Sequence, residues 1–219
     1  MKTILLSAIT VVCLCALVVT GCAGIRDAIY SGVITDRQFE YRNFTEVEIS
    51  SAIDYEIRKA DYFSVISTAA KHLIYKLDIS QAGRTLVVAL KPGSYGNSHF
   101  KVTVLMPVLT RLMASGASNG SVSGFDSADF EMLIEGASRC DLDGSASNAD
   151  MSVNGVSRLD ASDFCVQNAD IEVSGASSAT VYVLGRLDVE VSGLSTLRYL
   201  GDPELGAVNL AGISRVVDN

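Results

Sequence analysis

The pattern Gly-x-Ser recurs six times in the second half of the chain, at Gly116/Ser118, Gly136/Ser138, Gly155/Ser157, Gly175/Ser177, Gly193/Ser195 and Gly212/Ser214. Successive glycines are 20, 19, 20, 18 and 19 residues apart, a period of about 19. The flanks repeat as well. Two and four residues before the glycines stand mostly apolar pairs: Leu112/Ala114, Met132/Ile134, Met151/Val153, Ile171/Val173, Val189/Val191 and Val208/Leu210. Their neighbours are mostly polar, and alternation of period two marks a half-buried strand. Four and six residues after the glycine come Cys140/Leu142, Leu159/Ala161, Ala179/Val181 and Leu197/Tyr199, a second short strand. Each unit therefore reads strand, Gly-x-Ser corner, strand, loop. A single unit has one apolar stripe and cannot bury it alone; stacked units bury a continuous core.

This pattern predicts an all-β fold, a right-handed parallel β-helix (solenoid) with coils of about 19 residues. A six-residue sub-period, which would favour a left-handed hexapeptide helix, is absent, as is a leucine-and-asparagine framework. At the corners glycine suits a positive φ or the close passage of the next coil. The middle residues Ala117, Ala137, Val156, Ala176, Leu194 and Ile213 are apolar and are expected to point inward. The serines are expected to bond the turn backbone or one another, forming a ladder.

The first copy also reads Gly116-Ala117-Ser118-Asn119-Gly120, the G-x-S-x-G of a hydrolase nucleophile elbow. A serine nucleophile needs a base. Both histidines, His72 and His99, precede Ser118, whereas that fold orders serine, acid, histidine. No strand–helix alternation exists to build it. Cys140, Leu159, Ala179, Leu197 and Val216 fill the place of Gly120 in the other copies, so Gly120 is expected to complete the hydrolase pattern only by chance.

Residues 30–110 lack the period but are strand-rich. "FTEVEIS", "DYEIRK" and "YFSVIST" alternate, while "TLVVAL" and "FKVTVLMP" are denser apolar strands. "SQAGR" reads as a turn, and Ala69–Tyr75 as a helical turn. Two arrangements are open, a small β-domain or irregular first coils; a continuous sheet with an N-terminal cap is favoured, because an open solenoid end invites edge pairing. The expected organisation is 1–21 signal peptide, 22–37 tether, 38–110 β-rich N-terminal part or cap, and 111–219 β-helix coils.

The N-terminus carries an address. Lys2 is followed by an apolar run from Ile4 to Val19, short for a spanning helix and suited to a signal h-region. The run ends in Val19-Thr20-Gly21-Cys22, which resembles a bacterial lipobox. That resemblance implies cleavage before Cys22 and lipidation of Cys22, holding the chain to a membrane without a spanning helix. Ala23, rather than aspartate, favours the outer membrane or cell surface over inner-membrane retention.

Formal net charge is -8, and no Lys/Arg cluster supplies the basic footprint that nucleic acid requires. Glu131, Asp150, Asp170 and Asp188 stand five residues before a glycine, and Glu172 and Glu190 three before. In stacked coils they form an outward acidic face, read first as solvated surface that keeps the sheet from pairing with others. A flat ladder converges poorly on a cation, so no metal or cofactor is expected. Arg139, Arg158 and Arg215 form a basic row, and cross-coil pairs with Asp141 and Asp160 are expected. With Cys13 and Cys15 in the signal peptide and Cys22 as anchor, Cys140 and Cys165 remain, either as a disulfide or as buried thiols.

The order "FTEVEISSAIDYEIRKADYFSVIST", "GRTLVVAL", "FKVTVLMPVLTRLMASGAS", then Gly-x-Ser coils, resembles the bacterial family called "putative auto-transporter adhesin, head GIN domain", over roughly residues 38–215. The resemblance implies a parallel β-helix, secretion or lipoprotein signals and an adhesin-like role. It brings no catalytic residues. The corners here read Gly-x-Ser where many relatives use asparagine, which leaves the fold intact. The expectation is a non-catalytic, lipid-anchored envelope protein with an adhesin-like or scaffolding surface for a protein or glycan ligand. The rival is a carbohydrate-binding or carbohydrate-cleaving β-helix using the acidic face.

Overall fold

The computed structural model describes residues 33–218 apart from Asn97. The expected signal peptide, Cys22 and most of the expected tether lie outside the described residues. The fold is a parallel β-solenoid in one 15-stranded sheet, with coils near 20 residues. The sole helical element among the described residues is a 3-10 turn at Ile74–Lys76, which overlaps only the end of the stretch expected to turn; Ala69 and Ala70 belong to a strand instead.

The repeat builds β9 (Asn119–Ile134), β10 (Arg139–Val153), β11 (Arg158–Val173) and β12 (Ser178–Val191). Each wraps two faces of a coil, and the expected loop between two short strands is instead a bend inside one long strand. At the bend the register slips, as between Asp141 and Asp143, and Gly124 and Gly144 take positive φ. The backbone ladder thus continues where the sequence suggested a break. Neighbouring repeats pair in parallel and in phase: Met132, Met151, Ile171 and Val189 stack in one row, and Ile134, Val153, Val173 and Val191 in another. Both rows are buried, as the alternation requires. Further strands β13 (Thr196–Leu200), β14 (Glu204–Leu210) and β15 (Arg215–Asp218) complete the C-terminal end.

The N-terminal part consists of irregular coils and a cap in the same sheet. Its strands are β1 (Ile34–Phe39), β2 (Glu46–Ile49), β3 (Asp54–Lys59), β4 (Ser64–Ala70), β5 (Leu77–Ala82), β6 (Thr85–Leu90), β7 (Phe100–Met106) and β8 (Arg111–Ala114). β2 lies between β6 and β8, and β3 between β7 and β9, all parallel. The β2/β3 coil is therefore inserted between the β6/β7 coil and the first regular repeat, out of sequence order. Because β8 pairs with β2, the ladder is continuous across residue 110. The end is covered by antiparallel strands, β1 on β4, β4 on β7 and β5 on β6. β1 begins at Ile34, within the stretch expected as tether; its mostly exposed side chains leave no apolar stripe in the sequence.

Candidate functional site

The corners carry the repeat signature. Gly116, Gly136, Gly155, Gly175, Gly193 and Gly212 all take φ near +80°, between +78° and +86°. They stack so closely that a Cβ on Gly155 would lie 2.5 Å from the carbonyl oxygen of Gly136. Glycine is required twice over, by conformation and by contact. The middle residue of each later corner donates its N–H to the glycine carbonyl of the preceding coil, as from Val156 to Gly136 at 2.7 Å, while Ala117 of the first donates to Ser51 at 3.2 Å.

Orientation at the corner reverses one expectation. Ser118, Ser138, Ser157, Ser177 and Ser195 are buried, while Val156, Leu194 and Ile213 are exposed. Ala117, Ala137 and Ala176 are exposed with them. The positive φ turns the middle residue outward and the serine inward. The serine N–H then points into the core with no backbone carbonyl to meet it. The hydroxyl of the next serine supplies the acceptor: Ser118 N to Ser138 Oγ at 3.2 Å, Ser138 N to Ser157 Oγ at 3.3 Å, Ser157 N to Ser177 Oγ at 3.2 Å and Ser177 N to Ser195 Oγ at 3.3 Å. An apolar residue in the serine position would orphan a buried donor. Ser118 is thus a ladder rung, and its own hydroxyl lies 2.8 Å from the carbonyl oxygen of Ser51 and 2.9 Å from that of Ser115. Ser214 ends the row with a buried Oγ that finds no partner among the described residues.

A seventh corner escaped the sequence pattern. Ser51-Ala52-Ile53 lies on Gly116-Ala117-Ser118, and Ser51 takes φ of 78° without being glycine. The signal was hidden because serine replaces glycine and isoleucine replaces serine.

The acidic row occupies concave ground. Glu131, Asp150, Asp170 and Asp188 stack in register, as the spacing implied. They lie in an open groove of about 810 Å³, together with Asp126, Asp129, Asn148, Asn168 and Phe130 and flanked by Arg111 and Arg186. A second row, Asp129, Asn148 and Asn168, bonds along the groove: Asn148 Nδ2 donates to Asp129 Oδ1 at 2.8 Å and Asn168 Nδ2 to Asn148 Oδ1 at 3.2 Å. The end rungs of the acidic row are neutralised. Arg111 Nε lies 3.1 Å from Glu131 Oε1, an ion pair without hydrogen-bond alignment. Arg186 Nε and Nη2 donate to Asp188 at 2.6 and 2.8 Å, which holds the Asp188 carboxyl below the usual range. Asp170, between them, is pushed up by partial burial and then by the charges of Asp150, Asp188 and Glu190. Among the described residues no group of three His, Cys, Asp or Glu side chains converges as a metal site would need.

The basic row pairs differently from expectation. Arg139 and Arg158 are register partners, but Arg139 Nη2 bonds Asp141 of its own strand at 3.1 Å. Asp160 instead accepts from the Ser162 hydroxyl at 2.7 Å. In this row the side-chain bonds run between residues two apart on one strand, not across the coil. Cys140 is buried and Cys165 partly exposed, and both are free thiols. They occupy different rows, Cys140 beside Leu159 and Cys165 beside Ser145.

The stacked corners, the in-phase coils and the capped N-terminal strands now have a counterpart among known families. The family profile described as "Putative auto-transporter adhesin, head GIN domain" matches residues 43–203, more than half of the chain. The chain belongs to this family. Folds of similar build are known from crystal structures. A "putative adhesin" from Bacteroides fragilis superposes with a TM-score of 0.72 at 12% identity, covering 86% of this chain and 98% of its own. A "putative adhesin" from Parabacteroides distasonis gives a TM-score of 0.54 at 16% identity, covering 86% and 98%. A "putative lipid binding protein" from the same species gives 0.51 at 17% identity, again covering 86% and 98%. At these identities the likeness is one of fold. No curated protein matches the chain by sequence. No helix among the described residues is long and apolar enough to cross a membrane.

Proposed function

We propose that the chain is a lipid-anchored protein of the bacterial cell envelope, at the outer membrane or cell surface. Its GIN-domain β-helix serves as a non-catalytic, adhesin-like or scaffolding surface. The observation that carries this reading is membership of the adhesin-head family over residues 43–203. The anchor rests on Val19-Thr20-Gly21-Cys22. Cys22→Ala is expected to block lipid attachment and release the protein from membrane fractions; unchanged fractionation would remove the anchor from this proposal. A glycan and host-matrix binding array, probed with the chain lacking residues 1–22, tests the surface role. Binding to no component would count against adhesion.

One observation favours a second reading, recognition or cleavage of a carbohydrate. The acidic row lies in a groove flanked by Arg111 and Arg186, rather than on a convex sheet. Register partners in adjacent coils are one strand spacing apart, ~4.8 Å, near the ~5–5.5 Å between the carboxyls of retaining glycosidases. Asp170, with its raised pKa, is the candidate acid. Release of reducing ends from a glycan panel, abolished by Asp170→Asn, would establish cleavage. Glycan binding without release would leave the groove a binding site only.

A further inference from the structure

We infer that the C-terminal end of the solenoid is a docking surface for a second copy of this chain, joined edge to edge about a two-fold axis. Among the described residues, the last coil keeps the core pattern but has no cover. Leu205, Val208 and Leu210 stand in register with Leu187, Val189 and Val191. The inner three are 0%, 2% and 0% exposed, whereas Leu205, Val208 and Leu210 are 46%, 41% and 53% exposed. Among the described residues, β14 pairs with β12 alone and β15 with β13 alone, so each offers an unpaired backbone edge. The serine ladder stops there as well, with Ser214 Oγ buried and unbonded.

The two ends of the solenoid differ. The N-terminal end is closed by antiparallel strands, and its outer strands carry polar residues mid-strand, Asp36 and Arg37 in β1, Asp78 and Ser80 in β5. Such residues blunt an edge against pairing. β14 reads ELGAVNL, with its one charge at the first position, and β15 reads RVVD, with charges at its ends only. A head-to-tail array would have to join this apolar edge to the polar, capped one. A second copy of the same end presents the same coil outline, the same apolar rungs and free backbone groups of matching spacing. Related by a two-fold axis perpendicular to the strands, β14 meets its mate antiparallel on one face and β15 on the other. Like against like closes the assembly at two.

The area suffices. β14 has seven residues, so the coil is ~23 Å long; facing strand layers lie ~10 Å apart. The outward side chains of both layers bring the coil to ~20 Å across, so the end face is on the order of 500 Å² and two faces bury roughly 1,000 Å², the lower bound for a specific interface.

The test is sedimentation equilibrium of the full chain in a density-matched neutral detergent at micromolar concentration. The expected result is a dimer whose apparent mass halves in Val208→Lys/Leu210→Lys, with the far-ultraviolet spectrum and melting temperature retained. Val156→Lys, an exposed apolar corner away from the end, should leave the dimer intact. Amide exchange gives a second reading that needs no variant: protection across residues 204–210 and 215–218 should rise with protein concentration. A monomeric wild-type chain, a dimer that survives the double lysine substitution, or open-ended growth would each overturn the proposal.

Discussion

Gly120 lies beneath the ring of Tyr55, and a Cβ there would come within 2.3 Å of it. Its neighbours in the row, Cys140, Leu159, Ala179 and Leu197, all carry side chains. Gly120 thus has a packing reason unrelated to a nucleophile elbow: it makes room for the one large aromatic side chain in that row, which comes from the inserted β2/β3 coil and which the period does not reveal. Burial pushes the Tyr55 hydroxyl well up, and the Cys140 thiol adds to this. Burial pushes the Cys140 thiol in turn up to about 12. A thiol so placed stays protonated and shielded. Iodoacetamide is expected to label Cys165 and spare Cys140 in the folded protein, and to label both in urea, as read by peptide mass spectrometry. Asp170 gives a pH dependence of definite sign. Its folded pKa is raised, so the folded state holds the proton more tightly than the unfolded one. Stability therefore falls as pH climbs from the ordinary carboxylate value through the raised one, and the loss is complete above it. Asp170→Asn should raise the melting temperature at neutral pH, and the gain should vanish in acid below the ordinary carboxylate value. A gain that persists there would mean that charge is not the cause.

At the scale of the element, the corner is where the sequence signal was strongest and its orientation least legible. Glycine and serine are legible at all six positions, and a ladder follows from the chemistry of serine. Which of the two residues after glycine points inward is not. Apolar middle residues suggested an inward side chain, but a φ near +80° breaks the simple alternation that such a reading assumes. The buried serine N–H then decides the residue type, since it needs an acceptor that only a polar neighbour can supply. Ser157→Ala removes the acceptor for Ser138 N–H. The expected loss is about 1–3 kcal/mol, the cost of an orphaned buried donor, measured by urea unfolding. Ser178→Ala, a partly exposed strand position one residue past the corner, is the control and should change little.

For the whole molecule, the coils are exchangeable units in phase with one another. Gly155 and Gly175 are 20 residues apart, and deletion of residues 155–174 would join Asn154 to the next corner in the same register. That variant is expected to fold with a single cooperative transition at a lower melting temperature, because one set of neighbour contacts is gone. Deletion of residues 155–164 alone, half a coil, should abolish the transition in circular dichroism, since it sets a corner against a strand. That comparison rests on what the sequence by itself determined: the period, the inward rows, the parallel register and the in-line acidic row are all properties of one repeat laid on the next. Tertiary structure decided the rest. The β2/β3 coil enters between β6/β7 and β8/β9 through pairings far apart in sequence, which no local period encodes. The acidic row became a groove because the bend and the neighbouring loop residues surround it, whereas register alone describes only a line of carboxylates. Local periodicity specifies which residues share a face; the curvature of that face, and what covers its ends, depend on contacts between segments that the period does not connect.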